Sequence, residues 1–356
     1  MIDPELLKKI ELDFKRGNYR DNLKDLIKIF KSEKNSDIAN KIGVVLIKLN
    51  KKKFAQYFFE ISIKENIKNY KPFFNLANLL QKSDPILSEQ YIDQALEIEN
   101  NNEARIIKSR LLINNFKYDQ AINYLKNIDS AESNYLIGIS HLAIGDDEKG
   151  KCYLEKSLKY KNIFIDFLNL NTFPRVYKKS RDIIYFRKKF LKILNHINNS
   201  KIIDKLTRLE KINIVQSKTN FNLPYQQKND LDLNQKYYLL LEKILGNDKN
   251  ININKFKSNK ILFISGFFFK HTVSKLFFNF IEELSKKKDL NISLLHLSNK
   301  EDEWTRMYKD LSINFHIDTN LSSIEKFLIS ENFGSIFFLD HSMNNISQSI
   351  ISNKYA

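Results

Sequence analysis

Residues 36–69 read SDIANKIGVVLIKLNKKKFAQYFFEISIKENIKN, and their spacing predicts two helices folded against each other. Gly43 takes a small position on the first helix, with Ile42 and Leu46 beside it on the apolar face. Ala55 is the small residue of the second helix, followed one and two turns later by Phe59 and Ser62. Small side chains are needed where two helices cross closely, because a large one would hold the axes apart.

The same position recurs outward from this hairpin. Asn22, Ala55, Ser88, Ala121 and Gly150 follow one another at spacings of 33, 33, 33 and 29 residues. Ala77, Ser109 and Gly138 are their small partners on the preceding helices. Turn residues fall between the helices at Gly17-Asn18, Asn50, Ser83-Asp84-Pro85, Asn114-Asn115 and Gly145-Asp146-Asp147. The cadence is close to the roughly 34 residues of the tetratricopeptide repeat. It predicts an α-solenoid of helical hairpins over residues 1–165, with a concave face suited to a protein or peptide. A purely structural spacer is the alternative. The aromatic pairs at Tyr57-Phe58-Phe59 and Phe73-Phe74, and Cys152, need no more than a core role on this reading.

Composition agrees with a helical, folded chain. The apolar fraction is 42%, while 8 Gly and 5 Pro in 356 residues leave little material for a turn-rich β protein. Cys152 has no partner for a disulfide within the chain, which fits a reducing compartment. The N-terminus has no signal-peptide pattern, and no apolar run reaches the ~18 residues of a membrane span. A cytoplasmic protein with no membrane partner is expected.

The net charge of +16 is uneven. Residues 259–356 are neutral, residues 1–165 carry +5 and residues 166–258 carry +11. Residues 176–197 read as an amphipathic helix started by Pro174. Val176, Ile183, Ile184, Phe190, Leu191 and Leu194 share its apolar face, and Lys178, Lys179, Arg181, Arg187, Lys188 and Lys189 point elsewhere. A basic helix invites a nucleic-acid reading. No nucleic-acid module or interleaved aromatic platform supports it, so a solvated face is the expectation. The polar stretch 217–227, a helix over 231–245 ended by Gly246, and a linker over Asn247–Asn254 complete a helical and irregular connecting region, 166–258.

From Lys260 the period changes. Short apolar runs at 261–265, 292–297, 313–317 and 335–339 alternate with helical stretches, which predicts parallel βαβ units in a Rossmann-like lobe over 259–356. Ligands of such sheets meet the carboxyl ends of the strands. Two loops therefore matter: Ser265 to Thr272 after the first strand, and Asp340 to Asn345 after the fourth. There is no G-x-G-x-x-G or P-loop pattern, and His271, His316 and His341 are too scattered for a metal-ligand set.

The run KILFISGFFFKHTV at 260–273 resembles the entry to the catalytic region of the SPINDLY-like and O-linked N-acetylglucosamine transferases, with Ser265, Phe268 and His271 on the matching positions. Upstream, Phe173-Pro174-Arg175-Val176-Tyr177 with Arg187 and Phe190 resembles the family's pre-catalytic helix. Thr219-Asn220-Phe221 through Tyr225-Gln226 and Asn229-Asp230 is similar to its T-N-F-x-L-x-Y-Q-x-x-N-D segment. Downstream, Ile336 to Asp340 with Met343 resembles its later strand and turn, and Lys354-Tyr355-Ala356 the point where the family continues. The similarity covers residues 170–356. Phe267 departs from it, standing where many members carry Asp.

The resemblance implies the first lobe of a GT-B fold and transfer of a sugar from a UDP- or GDP-linked donor to Ser or Thr of a protein, without a metal cofactor. It also implies that a donor-binding lobe would follow, so that this chain is an incomplete copy. His271 is the expected catalytic group at the interlobe cleft, as a positioning group or a proton relay, with helix capping as the alternative. Ser265, Lys270, Asp340 and His341 are the expected acceptor- or donor-cleft residues. A protein acceptor along the concave face is the implied partner, and pairing of two chains through the repeats stays open.

Overall fold

The structure is a computed structural model that describes residues 4–246, 258–311 and 313–352. The linker read at Asn247–Asn254 and the terminal Lys354–Ala356 lie outside the described residues. Two compact units are present, the first ending at Tyr160 and the second beginning at Lys161.

The first unit is a run of ten helices in five hairpins: α1 (Pro4–Arg16) with α2 (Tyr19–Ser32), α3 (Ser36–Lys48) with α4 (Lys52–Glu65), α5 (Tyr70–Leu80) with α6 (Pro85–Ile98), α7 (Asn102–Asn114) with α8 (Tyr118–Leu125), and α9 (Ala131–Ala143) with α10 (Asp147–Ser157). It is the tetratricopeptide-like solenoid that the cadence predicts. Every recurring small residue is buried, and each does so for a steric or polar reason. A Cβ added to Gly43 would lie 2.3 Å from Cε1 of Phe59, and one added to Gly150 would lie 2.6 Å from Cδ2 of Leu142. Where the small residue is polar, its side chain donates to backbone across the crossing, as Asn22 does to the Ile10 carbonyl at 2.5 Å and Ser88 to that of Ala77 at 2.7 Å.

The hairpin turns repeat as well. Gly17, Asn50, Phe116 and Gly145 all have φ between 58° and 82°, each just past the first helix of its hairpin. The next N–H then reaches back to a carbonyl in the last turn, as Lys51 does to Leu46 and Lys117 to Leu112 at 2.8 Å, closing the helix end. Two expectations are corrected here. Tyr57 is 59% exposed rather than part of the core, and Cys152 is exposed too. Both lie on the outward side of a second helix, whose buried stripe runs through Ala55 and Phe59 in α4 and through Gly150 and Leu154 in α10.

The second unit opens with α11 (Ile163–Leu170), α12 (Ser180–Asn198), α13 (Arg208–Val215) and α14 (Leu231–Leu245), the last closed by Gly246 at φ 77°. The reading of 176–197 needs correction. Helix α12 begins four residues later, Pro174 lies in a buried non-helical stretch, and Val176 is 77% exposed. The buried stripe runs through Phe186, Lys189, Phe190, Ile193 and Ile197, leaving Ile184 outside. Lys189 is buried because its amine donates to the Asn169 carbonyl (2.9 Å), the Asn169 side chain (2.7 Å) and the Thr172 carbonyl (3.2 Å).

The α/β part then follows as β1 (Lys260–Ser265), α15 (Thr272–Ser285), β2 (Asn291–His296), α16 (Glu303–Lys309), β3 (Asn314–Ile317), α17 (Leu321–Glu331), β4 (Ser335–Phe338) and α18 (Asn345–Ser352). All neighbours are parallel, in the order β3-β2-β1-β4. Leu262 and Ile264 point into one apolar layer with Leu321, Ile324 and Ile350, while Phe263 enters the other with Ile281 and Tyr308. Helices therefore cover both faces, as a parallel sheet requires. The chain leaves β1 toward β2 and β3, then returns to place β4 on the far side. The loops after β1 and β4 thus flank the topological switch point, where such sheets bind ligands.

Candidate active site

The first of these loops is fastened by a buried carboxylate. Asp340 is 1% exposed and follows β4. Its Oδ2 accepts from the Gly266 N–H at 2.6 Å and from Ser265 Oγ at 3.3 Å, and its Oδ1 accepts from Ser347 Oγ at 2.7 Å. Burial pushes the Asp340 carboxyl above its ordinary pKa, and these hydrogen bonds oppose the shift. Gly266 permits the approach: a Cβ there would lie 2.1 Å from the side-chain nitrogen of Asn344. Ser265 Oγ in turn accepts from the Phe267 N–H at 3.0 Å. Ser265 and Asp340 are therefore one knot that ties the tips of β1 and β4 to the start of α18.

His271 is the N-cap of α15, its Nδ1 accepting from the Val273 N–H at 3.2 Å. A ring that accepts at Nδ1 carries its proton at Nε2, so the remaining polar edge is a donor. Phe267 stacks on the imidazole with centroids 4.2 Å apart. The residue that departs from the family pattern thus packs against the expected catalytic group. Phe268 is buried against Tyr308, and its carbonyl accepts from Thr305 Oγ1 at 2.7 Å. Lys270 donates its backbone N–H to Asp302 at 2.8 Å and pairs at the surface with Glu303 at 3.6 Å.

His341 is exposed on the other loop and meets Tyr238 of α14, with Nε2 3.2 Å from the hydroxyl. Burial pushes Tyr238 up to about 12, which keeps its proton on oxygen. The His341 ring, open to solvent on one side, is desolvated on the side that meets Tyr238, and this lowers its pKa against the opposing charge of Asp340. Two residues outside the sequence expectations contact these loops. Tyr238 gives no sequence signal beyond its place in an apolar helix. His296, at the tip of β2, is fully buried with Nδ1 3.3 Å from the Ser265 carbonyl and Nε2 3.0 Å from that of Lys300. Its position at the end of a buried strand could have drawn notice. His316 lies apart on β3, against Phe327 at 4.6 Å. Among the described residues no three His, Cys, Asp or Glu side chains converge as metal ligands.

No family model matches the chain, and no curated protein matches it. Among solved structures, a tetratricopeptide repeat protein from Parabacteroides merdae is similar at 12% identity and a TM-score of 0.48, covering 69% of this chain and 93% of its own. YrrB, described as a TPR protein with an unusual peptide-binding site, is similar at 21% identity and a TM-score of 0.37, over 44% of this chain and 84% of its own. A mutant of the Thermobaculum terrenum O-GlcNAc transferase is similar at 13% identity and a TM-score of 0.48, and the match spans 81% of this chain but 49% of that one. These identities and scores attach no activity to the chain.

Proposed function

We propose that the chain is the acceptor-side part of a protein O-glycosyltransferase, with a helical-repeat unit that holds protein and a parallel-sheet lobe that presents His271. The observation that carries this reading is the strand-tip rim. Loops from the adjacent strands β1 and β4 are knotted through Asp340, and the knotted β1 loop ends in His271 with its Nε2 edge unspent by the cap.

The cap favours a positioning role for His271 over proton transfer. An Nε2–H group can hydrogen-bond to a donor phosphate oxygen or to the acceptor oxygen, and this fixes the line of attack on the anomeric carbon. It is poorly placed to serve as a general base, since taking a proton would make an imidazolium and forfeit the Nδ1 acceptor of the cap. Asp340, with both oxygens engaged, positions the loop, and Ser265 acts with it. Lys270 and His341 stand on the loops after β1 and β4 and are the further groups this reading assigns to the cleft. The nucleotide sugar, UDP- or GDP-linked, is a co-substrate, and no metal is invoked.

A second reading is a repeat scaffold without catalysis. It is favoured by the local structural work that every expected site residue performs: His271 caps, Asp340 ties and Lys270 pairs.

Sugar transfer separates the two. The purified chain is incubated with tritiated UDP-N-acetylglucosamine or GDP-fucose and an array of Ser/Thr peptides, alone and with a nucleotide-sugar-binding lobe supplied as a separate chain. His271→Asn keeps an acceptor for the Val273 N–H, so its stability should stay within about 0.5 kcal/mol of wild type. Transfer by wild type that falls at least about tenfold in His271→Asn supports the enzyme. No transfer, or transfer equal in the variant, leaves the scaffold.

A further inference from the structure

We propose that a cavity of about 430 Å³ at the end of the helical-repeat unit, between the α8–α9 loop, α9, α10 and the 3-10 turn Leu158–Tyr160, recognises a Glu/Asp-rich segment of a partner protein. This site is separate from the strand-tip rim and does not depend on the transferase reading. Three lysines from three elements line it: Lys126 where α8 ends, Lys156 in α10 and Lys159 in the 3-10 turn. None of the three makes a salt bridge among the described residues. Other lysines of the unit are paired, as Lys9 is with Asp25 and Lys108 with Glu89 and Asp93.

The one carboxylate lining the cavity is already engaged. Asp129 accepts hydrogen bonds from the Tyr160 hydroxyl and from Asn134 at 2.9 Å. Those bonds, with Lys156 and Lys159 behind them, hold it below the ordinary carboxylate range. Asp129 thus fixes Tyr160 and Asn134 in place, and the cavity keeps a surplus of positive charge. Lys156 is itself steadied over the Tyr153 ring at 4.6 Å.

Two features select an acidic side chain over a bare oxyanion. The volume lies within the range of about 300–1,000 Å³ typical of sites that enclose organic groups. Its floor includes the buried, apolar Ile128 and Ile137, which fit the methylenes of a glutamate while the lysines meet its carboxylate.

The test is fluorescence anisotropy of a fluorescein-labelled oligoglutamate peptide with the full chain at physiological ionic strength. Changing Lys126, Lys156 and Lys159 together to Glu should weaken binding about tenfold or more. The same change at Lys188, Lys192 and Lys201, three exposed lysines of the second unit, should alter it by less than about twofold. Asp129→Asn should tighten it about twofold, since it removes the opposing charge. A triple Lys→Gln variant carries the test if the charge reversal disturbs the fold, as judged by circular dichroism. The proposal is overturned if wild type does not bind, or if both triples lose affinity equally. It is also overturned if inorganic phosphate displaces the probe as well as unlabelled peptide does.

Discussion

The helical-repeat unit and the α/β unit are held by opposite means. In the first, the positions that matter are defined by what is missing: Gly43, Ala55, Ala77, Ala121, Gly138 and Gly150 are small because another helix occupies the space. In the second, the critical positions are filled with buried polar groups. Asp340, Lys189 and Gln348 each satisfy several partners, Gln348 donating to the Val215 carbonyl at 2.9 Å and accepting from Tyr237 at 3.1 Å. Steric notches recur at a near-regular spacing of 29 to 33 residues and tolerate loop variation. Polar knots are single, join residues far apart in sequence, and fix loops at a rim where chemistry can be placed.

The contrast is broken most severely at a notch. Gly43→Val should cost about 3 kcal/mol in urea unfolding, because even its Cβ meets the buried Phe59 ring. Gly17→Ala, with open space but a φ of 81°, should cost only about 1 kcal/mol. Equal losses would mean that backbone strain, rather than helix crossing, sets the cadence.

Asp340→Ala should cost about 2–3 kcal/mol, since the Gly266 N–H and the Ser265 and Ser347 hydroxyls lose a buried acceptor. Hydrogen exchange at Gly266 and Phe267 should rise in this variant while the α3–α4 hairpin stays protected. A uniform loss across both units would contradict the local knot.

The mildest effect is a pH dependence. Asp166 in α11 is fully buried, its carboxylate oxygens have no hydrogen-bond partner among the described residues, and burial raises its pKa from 3.8 to about 7, with His196 Nε2 3.6 Å away. A folded state that holds its proton more tightly than the unfolded chain loses stability as pH climbs through that window, and changes no further above it. Asp166→Asn should therefore stabilise the second unit by about 1–2 kcal/mol at pH 8, with no gain at pH 4. A gain that is the same at both pH values would place the effect outside this ionisation.

The same contrast explains what could be read from the sequence. The repeats were legible because packing small against large leaves a local, periodic mark at Asn22, Ala55, Ser88, Ala121 and Gly150. The sheet was legible from its apolar runs and its change of period. Hydrophobic periodicity misplaces the start of α12 because it cannot show that Lys189 finds three buried acceptors, or that Val176 lies before the helix. Neither Tyr238 against His341 nor Ser347 against Asp340 could be foreseen, since those contacts join separate elements through the fold.

The central claim is that His271 caps α15 through Nδ1, so that Nε2 is the ring nitrogen left to donate. Long-range proton–nitrogen correlation on protein labelled with nitrogen-15 in histidine reads this directly at neutral pH. The account predicts a protonated Nε2 and a bare, hydrogen-bonded Nδ1, with that pattern lost when Val273→Pro removes the donor from the cap. A proton found on Nδ1 would contradict it.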